Sequence, residues 1–340
     1  MADATLMRDD VSMFEVARII VQWRSESRPV WLGRLLDTEG FSSQDPAATV
    51  AWTPGERPVG SIFSGAADQQ VVELLAHHAG PAHRVESISV SDGEARAAGL
   101  SCGGIARILI HSADDIPEAG WHRLARGEAS CLVTSLGDSA TPASGLVYAP
   151  EDIDAPDTDP EVARVFRRGM TSTSIIRSSS AGADGLLVTA VWPVPTLLIV
   201  GTGSIADALV AIAGPLGWRC SVADSAETVG PIAGGLQAGD GLVVLSHDLA
   251  VAGPALKSAL STTVSYLGAL GSRRTQVART EWLRREELTD EALSRLHGPA
   301  GLDIGAQSPA EIAVAIIAEM CAVRTGHTGG FLSSRGGIIH

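Results

Sequence analysis

Sulfur is scarce in this sequence. Its four cysteines, at positions 102, 131, 220 and 321 of 340 residues, form no C-x-x-C pair and no disulfide framework, which points to a reducing, intracellular setting. Basic charge is scarce too: 25 Lys and Arg against 39 Asp and Glu leave a formal net charge of −14. Nucleic acid, which is gripped by clustered cations, is thereby excluded as a partner, and so is an anionic membrane surface. Long apolar runs are missing as well. The best candidate, 186–200, has roughly 15 residues against the ~20 that a bilayer requires, and Pro193 and Pro195 interrupt it. Residues 1–10 hold no apolar stretch of the secretory kind, so a soluble cytoplasmic protein is expected. What is abundant is core material: 45% hydrophobic residues, incompatible with wholesale disorder.

Periodicity divides the chain into an N-terminal α+β domain (1–192), a C-terminal Rossmann-like doubly wound parallel sheet (193–325), and a Gly/Ser-rich tail (326–340), an α/β protein throughout. In the first stretch, Ser12 and Glu15 form a capping box ahead of a helix over 13–24, and Asp68 caps another over 71–79. Strands are expected at 30–36, 48–52, 59–63, 85–90, 107–111, 131–135 and 145–148, with a helix near 118–126. After Pro195 the continuous apolar run 196–200 reads as a strand covered on both faces. Helices at 204–216, 254–260, 274–287 and 290–296 then alternate with strands at 219–223, 242–246 and 264–267. Ser308, Pro309 and Glu311 open a last helix. In the tail, Phe331, Leu332, Ile338 and Ile339 can dock on a neighbouring surface.

The most informative segment follows the first strand of the C-terminal domain. Gly201, Gly203 and Ala206 satisfy G-x-G-x-x-A between a strand and a helix that opens at Ser204. The first glycine permits the bend, the second lets a diphosphate approach the backbone, and the third small residue lets helix and strand pack. Asp224, 23 positions after Gly201 at the end of the next strand, stands where an acid binds a ribose 2′-hydroxyl, favouring NAD over NADP. The alternative is a Gly-rich turn kept for packing alone. Loops at the carboxyl edge of the same sheet bring His247, Asp248, Gly271, Ser272, Arg273, Arg274 and Asp303 toward this turn. His247 beside Asp248 is either an oriented general base or merely a helix start. Gly271 to Arg274 supply N–H groups, a hydroxyl and two guanidinium groups for an anion; alternatively, the arginines belong to a solvated basic face together with Arg279, Arg284 and Arg285.

Three strings carry a resemblance: SHD at 246–248, YLGALGSRRT at 266–275 and GLDIGAQSPAEIAVAIIAEM at 301–320. Together they make the region from Thr196 onward resemble the Rossmann domain of the XdhC/CoxI family, the accessory proteins of molybdenum hydroxylases. The resemblance implies a cytoplasmic, dimeric protein that binds the molybdenum cofactor as cargo and passes it to a partner hydroxylase of the xanthine dehydrogenase type. The N-terminal domain is similar to that family at Asp37-Thr38-Glu39-Gly40 and at Leu100-Ser101-Cys102-Gly103-Gly104. Cys102 would sit among open backbone N–H groups that favour thiolate, or else is a small buried hydrophobe. Elsewhere the family pattern is broken. Where a second cysteine is expected, Gly60 to Asp68 offers Ala66 and Ala67, and an Arg-bearing segment has become Ser42-Ser43-Gln44-Asp45-Pro46-Ala47.

The other residues read as structural. Adjacent His77 and His78 cannot share a helical face, so no metal site is expected. Cys131, Cys220 and Cys321 read as core, and the tryptophans as packing residues. Two functions stay open: handling of the molybdenum cofactor, and a diverged NAD(P)-dependent oxidoreductase acting on a small acidic metabolite at the same crest. Whether the chain is an enzyme is not decided by its sequence.

Overall fold

In the computed structural model, which describes residues 11–40, 45–77, 83–137, 145–177 and 185–334, the chain separates into two units, Met1–Pro193 and Val194–His340. The first unit opens with helix α1 (Met13–Ser25), capped reciprocally by Ser12 and Glu15. Strands β1 (Trp31–Glu39) and β2 (Thr49–Trp52), helix α2 (Asp68–Ala76), strand β3 (Arg84–Val90), helix α3 (Asp92–Ala97) and strand β4 (Gly104–Ser112) follow. Helix α4 (Glu118–Ala125), strands β5 (Ser130–Ser135) and β6 (Gly145–Tyr148), helix α5 (Pro160–Phe166), and strands β7 (Ser172–Ile176) and β8 (Leu186–Val191) complete it.

The eight strands make two antiparallel sheets of order β2-β1-β4-β3 and β6-β5-β8-β7. Alternation along β1 sends Gly33 and Leu35 toward α2, where a Cβ on Gly33 would stand 2.6 Å from Val71, so glycine is what lets the helix approach. Leu32, Arg34 and Leu36 point the other way, at the second sheet. Arg34 is 1% exposed, and its guanidinium donates to Thr134 Oγ1 (2.8 Å, β5) and Thr189 Oγ1 (2.7 Å, β8), tying one sheet to the other. Burial pushes this guanidinium down to about 10, which leaves it charged at neutral pH. On β4, facing the same side as Leu32 and Arg34, His111 is wholly buried; its Nδ1 lies 3.3 Å from Asp115 and its Nε2 has no partner among the described residues.

The second unit runs β9 (Thr196–Val200), α6 (Ser204–Ala213), β10 (Arg219–Ala223), α7 (Ala226–Gly234), β11 (Gly241–Val244), α8 (Leu249–Leu260), β12 (Tyr266–Ala269), α9 (Arg273–Arg285), α10 (Asp290–Leu293), β13 (Leu296–His297) and α11 (Pro309–Thr325). All five strands are parallel, in the order β10-β9-β11-β12-β13. One face of the sheet packs on α7, α8 and α9, the other on α6 and α11. Burial on both faces explains the unbroken apolar run of β9. The order reverses between β9 and β11, and such a reversal opens the crevice where doubly wound sheets bind ligands.

Several expectations need correcting. Residues 59–63 form no strand, only a bridge from Val59 to Ala51, because the chain turns through left-handed Gly60, Phe63 and Ser64. Asp68 is the first residue of α2 rather than its cap, its carboxylate accepting from Ile62 N–H. Helix α7 escaped notice because Gly230 and Pro231 discourage helix locally, yet Val229 and Ala233 bury against the sheet and override that preference. Helix α8 starts a turn and more before Pro254, nucleated by Asp248. Strand β12 lies two residues later than expected, and Leu296 leaves α10 to pair with Leu267, its neighbour Arg295 being held by the carbonyls of Leu260, Thr262 and Val264. Phe331 is 83% exposed rather than docked. Ser42 to Gln44, His78, Ile338 and Ile339 lie outside the described residues.

Burial pushes His111 down to about 4, with the Arg34 charge acting in the same direction and the hydrogen bond to the Asp115 carboxylate against it. Folded His111 is therefore neutral where the unfolded side chain, near 6.5, already takes up a proton. Its contribution to stability is full above pH 6.5 and is lost as the pH falls toward 4, about 3 kcal/mol in all. Urea denaturation at pH 7.5 and at pH 5 should show that His111→Gln loses less stability on acidification than the parent chain. Equal losses would refute this account.

Candidate functional site

The carboxyl edge of the second unit is laced together by backbone hydrogen bonds that run past the strand ends. Gly201 N–H donates to Ala223 O, Leu245 and Ser246 N–H to Val200 O, Leu270 N–H to Val244 O, and Ala300 N–H to Ala269 O. Each loop leaving a strand is thus fastened to its neighbour, and the loops form one crest. Gly201, at φ +114, is pressed so closely on the β11 loop that a Cβ would lie 3.0 Å from Ser246 N. Gly203, at φ +110, has the opposite surroundings, with nothing within 4 Å of a Cβ. The first glycine serves packing, while the second combines a backbone that L-residues avoid with open space above it, which is what close approach of a ligand requires. Ser204 begins α6, whose first turn has no side-chain cap, and Ala206, 2% exposed, lets α6 settle on the sheet.

Asp224 stands exposed one residue beyond β10, next to the Ala223 carbonyl that holds Gly201. From the β11 loop, Asp248 accepts from Ala250 N–H (2.9 Å) and so caps α8, while exposed His247 has no hydrogen bond to it among the described residues. Gly271, at φ +130, and Ser272, the N-cap of α9, follow β12. Arg273 and Arg274 are the first two residues of α9, both exposed, with no acidic residue in that turn and no ion pair to either among the described residues. Cations at the positive end of a helix dipole are disfavoured without an anion, so their placement is itself informative. Asp303 lies exposed between β13 and α11, in a loop anchored by Glu319, which accepts from Gly301 N–H (2.8 Å) and Tyr266 O–H (2.5 Å).

One residue of this crest, Gln276, escaped the sequence reading, and another, Arg279, was assigned to a solvated basic face that its burial rules out. Gln276 and Arg279 face inward on α9, at 8% and 2% exposure, and Arg279 donates to Leu270 O (2.6 Å) and Ser246 O (2.7 Å). The signal lay in the spacing. Positions 276, 279 and 283 form the buried stripe of a helix whose outer face is charged.

In the first unit, a cavity of about 520 Å³ is lined by Asp45, Ala47, Ser61, Phe63, Leu100 and Ser101, among others. Its walls include residues from three of the four segments in which the N-terminal half resembles or departs from the family pattern, 42–47, 60–68 and 100–104, together with the start of α1. Cys102, next to this wall and half-buried, donates its thiol hydrogen to Gly40 O (2.9 Å). Gly103 N–H, expected to be open, is taken by Asp92 Oδ1 (2.9 Å), so the loop offers fewer free donors than its glycines suggest. The Cys102 contact fastens the 37–40 turn to the 100–104 loop. Among the described residues no cluster of His, Cys, Asp and Glu is arranged for a metal ion, and no helix is long and apolar enough to cross a membrane.

Residues 197–320 match the family model described as the XdhC Rossmann domain. Among curated proteins, the uncharacterized protein YqeB of Escherichia coli (strain K12) is 27% identical over 184 residues, 49% of this chain and 34% of its own length. The molybdenum cofactor insertion chaperone PaoD of the same organism is 28% identical over 132 residues, 39% of this chain and 41% of its own. The chain therefore matches well under half the length of these curated relatives. A solved structure described as a xanthine dehydrogenase from Bacillus halodurans aligns over 94% of this chain and 98% of its own with a TM-score of 0.51 at 16% identity, a likeness of fold.

The two glycines make separable demands. Gly203→Ala places a Cβ on a left-handed backbone with no clash and should cost about 1 kcal/mol, whereas Gly201→Ala adds a backbone collision and should cost more. Urea midpoints for the two variants check this, and equal losses would contradict the assignment of their roles.

Proposed function

We propose, from the match of residues 197–320 to the XdhC Rossmann domain, that this chain is an accessory protein that binds the molybdenum cofactor as cargo and assists its maturation and insertion into a molybdenum hydroxylase of the xanthine dehydrogenase type. The similarity to a named insertion chaperone supports the class of cargo. The observation that carries the reading is the crest. Open space over Gly203 meets the uncapped first turn of α6 and two arginines without carboxylate partners among the described residues. Such a surface suits the phosphate that the pterin carries: N–H groups donate to its oxygens and the guanidinium groups balance its charge. Asp224 can accept from a ribose hydroxyl where the cargo carries a nucleotide.

The first unit, taken by itself, offers little to a dithiolene or its metal. The cavity of the first unit presents serine hydroxyls and the Asp45 carboxylate but no thiol, and Cys102 beside it is engaged with Gly40 O. In this reading the protein grips its cargo by the phosphate end and leaves the metal end accessible for transfer. Work as a homodimer in the cytoplasm belongs to the same proposal. Hydride transfer from NAD at the same crest is the weaker reading, since Asp248 is committed to capping α8 and does not orient His247 as a proton-handling group.

Protein purified from a molybdenum-replete host should carry pterin, measured by oxidation to its fluorescent product, and should raise the activity of a cofactor-free partner hydroxylase. Replacing both Arg273 and Arg274 with Ala should cut the retained pterin about tenfold or more, the loss of two charge-assisted contacts. A parent chain with no pterin and no effect on the hydroxylase would end this reading.

A further inference from the structure

Arg279 is a cation sunk beneath the crest with no carboxylate to meet it among the described residues. At 2% exposure it contacts three oxygens: Leu270 O, Ser246 O, and Gln276 Oε1 at 3.3 Å. The two carbonyls belong to the loops that follow β12 and β11. Beside Arg279 on the same helix face, Gln276 donates to Ala269 O (2.8 Å) and Gly271 O (3.4 Å). Helix α9 therefore sends two side chains down onto four carbonyls of the crest backbone, three consecutive ones at 269–271 and that of Ser246.

This has a stereochemical consequence. The peptide bonds concerned are trans, so the C=O of one residue and the N–H of the next point in opposite directions. With Ser246 O and Leu270 O drawn inward to Arg279, the N–H groups of His247 and Gly271 face outward, and neither has an acceptor among the described residues. These donors belong to neighbouring loops, that of His247 following β11 at the point where the strand order reverses and that of Gly271 following β12 next to it.

We propose that Arg279 is a positioning residue: by holding the carbonyls of Ser246 and Leu270 it presents the N–H groups of His247 and Gly271 as a preformed cradle for one phosphate group of the ligand. This rests on the reading of the crest as an anion site. Preorganisation is the point of the arrangement, because donors fixed by a buried side chain need no reordering when the anion arrives. Arg273 and Arg274 supply charge from the outside, while Arg279 supplies geometry from within and touches no ligand.

The test uses inorganic pyrophosphate as the probe and the full-length chain. In the parent protein, pyrophosphate should shift the amide proton resonances of His247 and Gly271. In Arg279→Ala, folded by near-ultraviolet circular dichroism, affinity should fall about tenfold or more, and low-millimolar guanidinium, which can enter the vacated space, should restore part of it. Arg279→Lys, unable to bridge two carbonyls, should bind as weakly as the Ala variant without responding to guanidinium. Unshifted amides at saturating pyrophosphate, or a folded Ala variant that binds as the parent does, would overturn the proposal. Pterin content is read separately. Protein free of pterin whose pyrophosphate binding still depends on Arg279 would refute the cargo and keep the cradle, and the converse result would do the opposite.

Discussion

The second unit depends on one close approach between two stretches of backbone. Gly201 lies against the chain at Ser246 with no room for a side chain, and only there can the loops after β9 and β11 be fastened through Val200 O. Everything at the crest inherits its position from that contact. It brings Asp224 beside the glycine turn, it sets Ser246 O within reach of Arg279, and through Leu270 it draws in the α9 loop. A side chain at 201 would push apart two loops that belong to different strands, and the shared crest would become separate turns.

How much of this was legible in the sequence depended on whether local or distant partners set each feature. The parallel sheet and the glycine turn could be read because their signals are local: an apolar run, glycines at fixed offsets, an acid at the end of the next strand. The segment 59–63 was misread because alternation alone cannot reveal that Gly60, Phe63 and Ser64 adopt left-handed backbones. Helix α7 was missed for the opposite reason, since burial of Val229 and Ala233 outweighs a local composition hostile to helix. Arg279 was grouped with a solvated basic face because charge suggests exposure. Only the fold shows that two carbonyls from loops on neighbouring strands offset its burial.

Among the described residues, a buried arginine without a carboxylate partner occurs once in each unit, and the comparison is instructive. Arg34 ties two sheets together through the hydroxyls of Thr134 and Thr189, side chains that could be exchanged without moving the backbone. Arg279 instead holds main-chain oxygens, so it dictates the orientation of peptide planes. The first arrangement fixes a core, whereas the second shapes a surface. Burial and charge alone do not separate the two cases; the identity of the acceptor does.

Charge distribution completes the argument. A net charge of −14 repels polyanions over the protein as a whole, yet such fields fade beyond a Debye length of roughly 8 Å at physiological salt. At the crest the local terms differ in sign: Arg273 and Arg274, without ion pairs among the described residues, and the first turn of α6 favour a negative ligand, as would the proposed N–H cradle. A long polyanion must cross the acidic surroundings as well as the crest, while a small phosphate-bearing molecule meets only the crest. Global acidity and a locally cationic crest are therefore compatible, and the proposed phosphate-bearing cargo is of the size that such an arrangement favours over a long polyanion.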